Sequence, residues 1–160
     1  MGGWCDMGDL IKTKGFIQAK IKYKNTGKTE IFKFNNQVLI NGRIFLANSL
    51  LESNKKLWIA NMLFGDGGST KDGPKEVTAM QDRLNGVVRL RKPVVAQIDP
   101  EIPTQVIFSI IIGEEECNGC VLNEMGLELN NESLFSLSTF SDLNKTDQME
   151  IQWLWQIVFI

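Results

Sequence analysis

Residues 16–24 (FIQAKIKYK) alternate: Ile17, Ala19, Ile21 and Tyr23 face one way, and Gln18, Lys20, Lys22 and Lys24 face the other. Period two marks a half-buried strand. Asn25-Thr26-Gly27 is a turn, and residues 30–34 (EIFKF) return, which predicts a β-hairpin over 16–35. Residues 43–53 (RIFLANSLLES) place Ile44, Ala47 and Leu51 on one helical face, so a helix is expected there. A near-continuous apolar run, 57–64 (LWIANMLF), predicts a core strand, and GDGGSTKDGP (65–74) a connecting loop. Residues 76–85 (EVTAMQDRLN) suggest a short helix ending before Gly86. Residues 87–96 (VVRLRKPVVA) read as a strand edged by Pro93. Further strands are expected at 105–112, at 122–129 with Gly126 interrupting it, and at 133–140. A loop is expected at 142–147, and then a terminal strand. In that last segment Met149, Ile151, Trp153, Trp155, Ile157 and Phe159 share one face, while the other starts polar and turns apolar. Such a strand belongs in the middle of a sheet, because at an edge it would invite aggregation.

At least six strands, short turns and one or two short helices predict an all-β protein, an antiparallel β-sandwich or partly closed barrel. The expected organisation is an N-terminal arm over 1–15 and a single β-rich domain over 16–160. That domain comprises the hairpin (16–35), the helix (43–53) and the sandwich (57–160). Trp4 stands out in the arm, because an exposed indole wants a docking site on its own domain or a neighbouring subunit.

Composition narrows the chemistry. The 160 residues contain no histidine, which removes Ser-His-Asp and Cys-His mechanisms and the commonest transition-metal ligand. No catalytic, cofactor-binding or metal-ligating residue is assigned, and no cofactor is expected. Chemistry that uses carboxylates, lysine or a hard metal stays open; Asp66, Asp72, Glu114, Glu115, Glu116 and Glu124 could pair as acid and base, and nothing in the sequence indicates a cleft. The net charge of −2 gives no general attraction to nucleic acid or anionic membrane, and neither is expected as a partner. No apolar run is long enough to span a bilayer, and the start lacks a signal-peptide pattern, which predicts synthesis in the cytoplasm. Residues 10–34 nevertheless hold seven lysines and one glutamate. The row Lys20, Lys22, Lys24 reads first as a solvated or edge-protecting face. With Trp4 it is also the candidate assembly interface.

The glycine-rich loop lacks the Gly-Lys-Ser/Thr ending of a phosphate cradle, and Asp66, Ser69 and Asp72 fit a calcium loop poorly. The pair in CNGC (Cys117, Cys120) supplies two ligands where structural zinc takes four, and no helix follows it as a redox motif requires. Asn118-Gly119 instead predicts the tip of a type I′ hairpin.

From about residue 36 onward the order of signals resembles a module of tailed-bacteriophage tail and fibre proteins. The matching elements are Asn41-Gly42-Arg43, MLFGDGG (62–68), DRLNGVVRLRKPV (82–94), NGCVLNEMGL (118–127), SLFSLSTF (133–140) and KTDQMEIQWLWQIVF (145–159). The paired cysteines depart from its usual glycine turn. The resemblance implies a virion structural protein that works by protein–protein assembly: a tail fibre, or an adaptor joining fibre or baseplate. Its partners would be other virion proteins and copies of itself. A capsid decoration protein is the alternative, and a host-surface carbohydrate-binding module a second one. The resemblance also implies architectural roles: Gly65, Gly67 and Gly126 for backbone conformations closed to other residues, Glu124 for bonding to backbone, and Trp153 and Trp155 for packing.

Overall fold

The computed structural model describes residues 11–51 and 56–160; Trp4 and the rest of residues 1–10 lie outside the described part. Twelve strands and one helix follow in chain order among those residues: β1 (Thr13–Tyr23), β2 (Thr29–Asn35), β3 (Gln37–Val38), α1 (Ile40–Ser49), β4 (Ile59–Gly65), β5 (Ser69–Thr70), β6 (Gly73–Pro74), β7 (Val88–Pro93), β8 (Val95–Ile98), β9 (Gln105–Ile112), β10 (Val121–Leu129), β11 (Leu134–Asn144) and β12 (Met149–Phe159). Two five-stranded antiparallel sheets face each other. The first runs β2-β1-β12-β9-β8 and the second β3-β11-β10-β4-β7; β5 and β6 form a small separate ribbon. This is the expected all-β sandwich, and among the described residues neither sheet closes into a barrel.

The terminal strand occupies the centre of the first sheet, paired with β1 on one side and β9 on the other. Its alternation explains the core: Ile151, Trp153, Trp155 and Ile157 point inward and are buried, with Ile17, Ala19 and Ile21 beside them on β1. Phe64 and Phe140 from the second sheet meet Trp153 at ring distances of 5.0 and 5.6 Å, and Phe34 packs on Phe140 at 5.0 Å. Such offset aromatic contacts add to the area they bury. A second, smaller cluster (Leu39, Leu63, Leu84, Leu134, Leu137) lies apart from the first. Leu134 and Phe135 are neighbours on β11, and the pleat of the strand turns them to opposite faces, so they join different clusters.

Several expectations are corrected. The helix spans Ile40–Ser49 instead of 43–53. Gly42 does not break it: a side chain there would collide with the Phe135 carbonyl, so glycine lets the first turn back directly onto β11. Residues 76–85 are irregular rather than helical. Their apolar spacing reflects Val77 and Leu84 dipping into the second cluster, while the Ala79 carbonyl accepts a 2.6 Å bond from the Ile40 amide. The run 87–96 is two strands, β7 in the second sheet and β8 in the first, and the Val94 amide between them bonds to Ala60 O at 3.0 Å. Pro93 closes β7, where its missing N–H costs the ladder least. β11 continues to Asn144, into the first half of the expected 142–147 loop, and β1 starts at Thr13, ahead of the alternation at residue 16.

CNGC is not a hairpin tip. It lies in the link from β9 of the first sheet to β10 of the second. The Cys120 amide bonds to Cys117 O at 3.2 Å, and Gly119 has φ 80° while Asn118 does not adopt positive φ. Positive φ at the second central position alone is the type II pattern; type I′ needs it at both. Joining two sheets does not call for the twist match that favours type I′ in a hairpin.

Candidate functional site

The polar residues that could have formed a catalytic centre converge instead on backbone. Glu124, on β10, is fully buried, yet its two carboxylate oxygens accept four hydrogen bonds. These come from the amides of Gly67 (3.0 Å), Gly86 (2.7 Å) and Asn85 (2.8 Å) and from Asn85 Nδ2 (3.0 Å). Asn123 beside it accepts from the Gly68 amide at 2.7 Å and donates to Asp66 O and Asp142 Oδ1. Two chain segments, 65–68 and 85–87, are thus tied side by side over the end of β10. Asp66 closes the arrangement, taking the Val87 amide at 3.0 Å and the Arg89 guanidinium at 2.6 Å. The Arg89 bond holds the Asp66 carboxyl below its ordinary range, ahead of the burial that opposes it. A buried carboxylate is tolerable only when its lone pairs are all met in this way.

The glycines follow from this clasp, for a reason other than the one the resemblance implies. None of Gly65, Gly67 and Gly126 has positive φ; among the described glycines that conformation belongs to Gly27, Gly73 and Gly119. What they provide is close approach. A Cβ on Gly65 would sit 2.7 Å from Glu124 Oε1, one on Gly67 would overlap the Gly86 backbone, and one on Gly126 would press on Leu134 at 3.1 Å.

Two further polar groups are fixed in the same manner. Glu128 takes a bidentate bond from Arg91 (3.0 and 3.1 Å) and one from Asn61. Lys145, 1% exposed, donates to Asn118 Oδ1 and Thr146 O at 2.8 Å and to Glu114 O at 3.3 Å, holding the β9–β10 link against the turn after β11. Burial lowers the pKa of this lysine. Asn118 and Gly119 therefore matter as partners of Lys145: the Gly119 amide also bonds to Lys145 O at 2.9 Å. Both Cys117 and Cys120 are free thiols. Burial, then the hydrogen bond with Cys120, pushes Cys117 up to about 12, so its nucleophilic thiolate is scarce at neutral pH. Among the described residues no three His, Cys, Asp or Glu side chains group as metal ligands.

The remaining carboxylates do not converge. Glu114 pairs with Lys24 at 3.0 Å and Glu116 with Lys92 at 2.6 Å, while Asp72 sits in the exposed turn between β5 and β6. Lys24 is thus engaged within the chain, whereas Lys20 and Lys22 project from the outer face of the first sheet, opposite Gln152 and Glu150 of β12. Trp153 and Trp155 are fully buried and offer no face to a sugar.

Two surface features were not legible in the sequence. An apolar groove of about 340 Å³ opens between the sheets beside α1, lined by Phe45, Leu46, Trp58, Ile59, Val106 and Phe159 among others, with Trp58 56% exposed. A larger cleft of about 740 Å³ lies where the start of β1 meets the β2–β3 corner.

Residues 33–159, from within β2 to the end of β12, match the family of the phage tail-collar fibre protein, N-terminal. The chain belongs to this family. No curated protein and no solved structure matches it. Membership in the tail-collar fibre family makes this a structural component of a bacteriophage tail fibre, located in the virion and associated with other virion proteins. The family is structural rather than enzymatic, in keeping with a clasp whose carboxylate bonds backbone amides.

Proposed function

We propose that the chain is an attachment subunit: it joins a fibre to the tail or baseplate through protein–protein assembly and does so as a homo-oligomer, without a catalytic step. The observation that supports this reading is the Trp58 groove. All its lining side chains are apolar, and they come from α1, from β4 and its approach, from β11, and from three strands of the first sheet. An open apolar surface of this kind on a sandwich with a complete interior of its own marks a protein contact. Lys20 and Lys22 offer a second, polar contact on the outer face, and Trp4 would add to the interface from the leader. The family match favours the tail over the capsid as the place of assembly.

Size exclusion with light scattering, together with co-sedimentation with tail particles, tests this reading. The expected result is an oligomer that enters particles in tens of copies or fewer. Trp58→Ser should reduce both oligomer and particle association at an unchanged melting temperature. A monomer that enters no particle overturns the proposal, as does a Trp58→Ser chain that assembles like the parent.

A further inference from the structure

The chain carries a net charge of −2, yet several of its cations gather around the start of β1. The cleft at the start of β1 is lined by Lys12, Lys14, Phe16, Asn36 and Arg43, among others. Through Phe16 and Asn35 it continues into a second depression of about 440 Å³ that adds Lys33. No carboxylate lines either part among the described residues. Four basic side chains elsewhere meet carboxylates at short range: Lys24 with Glu114, Arg89 with Asp66, Arg91 with Glu128 and Lys92 with Glu116.

Asn36 is a second, independent sign of an incomplete site. Both polar atoms of its amide are buried without a hydrogen-bond partner. The amide lies over the Gly15 backbone so closely that any side chain at 15 would overlap it. A buried amide in this state costs free energy, which is recovered when the side chain turns out towards a ligand with acceptor and donor groups. Around it stand Asn35 and Gln37, so the cleft mixes amides with four cations and has one exposed aromatic wall, Phe16.

We infer that this cleft receives an extended acidic peptide segment of another tail protein, its carboxylates on Lys12, Lys14, Lys33 and Arg43 and its backbone on the Asn35–Gln37 amides. The inference deepens the attachment reading and rests on it. Charge complementarity would set partner choice and speed of docking. A peptide fits better than a nucleic acid or glycan, because those ligands use several stacking aromatics, and of the two that line the cleft Phe16 is exposed while Phe34 is packed on Phe140 and Trp153. The site is distinct from the Trp58 groove, whose lining residues it does not share.

The test is an NMR titration of the full chain, isotope-labelled, with a short oligo-glutamate peptide, an uncharged Gly-Ser peptide and a sulfated oligosaccharide, each at low and high salt. The oligo-glutamate is expected to shift the Asn36 side-chain amide and the Lys14 and Phe16 backbone signals. Its binding should weaken at least about fivefold with salt and again in the double variant Lys14→Glu/Arg43→Glu. Lys14→Gln/Arg43→Gln, which removes charge without reversing it, should show an intermediate loss. The melting temperature of each variant confirms that it is folded. Shifts confined to other residues, binding unaffected by either double variant, or equal affinity for the sulfated oligosaccharide would each overturn the inference. Shifts caused by a second copy of the chain at high concentration, with no response to oligo-glutamate, would also overturn it. A parent chain that enters particles yet ignores the peptide sinks this inference alone; one that binds the peptide but enters no particle sinks the attachment reading.

Discussion

Glu124 Oε1 and the amide nitrogen of Gly86 lie 2.7 Å apart, although 38 residues separate them in the chain. That bond and its three companions hold two loops against β10 with a single buried carboxylate. Replacing the carboxylate by an amide keeps the shape but turns one acceptor into a donor that faces other donors. Glu124→Gln should therefore destabilise the chain by about 2–3 kcal/mol. Urea unfolding monitored by tryptophan fluorescence measures it, and a loss below about 0.5 kcal/mol would show that the clasp matters little.

Glycine at 67 and glycine at 119 serve different ends, and alanine tells them apart. Gly119 has positive φ and open space around it, so Gly119→Ala should cost about 1–2 kcal/mol in backbone strain. Gly67→Ala puts a methyl into the Gly86 backbone and should cost more, about 3 kcal/mol, with loss of the amide-proton protection at Gly86. Equal costs at the two positions would contradict the close-approach explanation.

The acid limb of stability should trace to Asp66 and Glu116. Bonds from Arg89 and from Lys92 lower their folded-state pKa values relative to the unfolded chain. The unfolded state then binds more protons, so the stabilisation is complete above the ordinary carboxylate range and disappears as pH falls through the lowered values. Both pairs are partly exposed and screened by solvent, so the effect is modest. Melting temperatures of Asp66→Asn and Glu116→Gln should converge on the parent's as pH drops below that range. A difference that grows with acidity would contradict the sign.

Cys117 should resist alkylation. With its thiol raised to about 12, iodoacetamide at pH 8 should modify it far more slowly than a free cysteine, and Cys117→Ser should leave assembly intact. Rapid modification at that pH would reopen a role in thiol chemistry.

The reach of sequence reading differed by element. In β1 and β12 the alternation named the inward face residue by residue, because apolar positions at period two leave one arrangement that hides them. The run 87–96 has the same local signal, yet it splits between sheets at Val94, and CNGC connects sheets rather than strands of one sheet. Neither outcome has a local signature. The clasp was half legible: bonding of Glu124 to backbone was implied by the family resemblance, but its partners, Gly67 and Gly86, stand far from it in sequence. The segment 76–85 misled because residues at helical spacing also suit a loop that drops two side chains into a pocket.

What the sequence determined alone was a β-rich chain without histidine chemistry, with an aromatic central strand at 149–159, since composition and period depend on neighbours a few residues apart. Which strands share a sheet, why Gly67 must be glycine, and where the cationic cleft and the Trp58 groove open were decided by the tertiary structure. Each depends on contacts between segments tens of residues apart, whose free energy exists only once the two sheets have closed on one another.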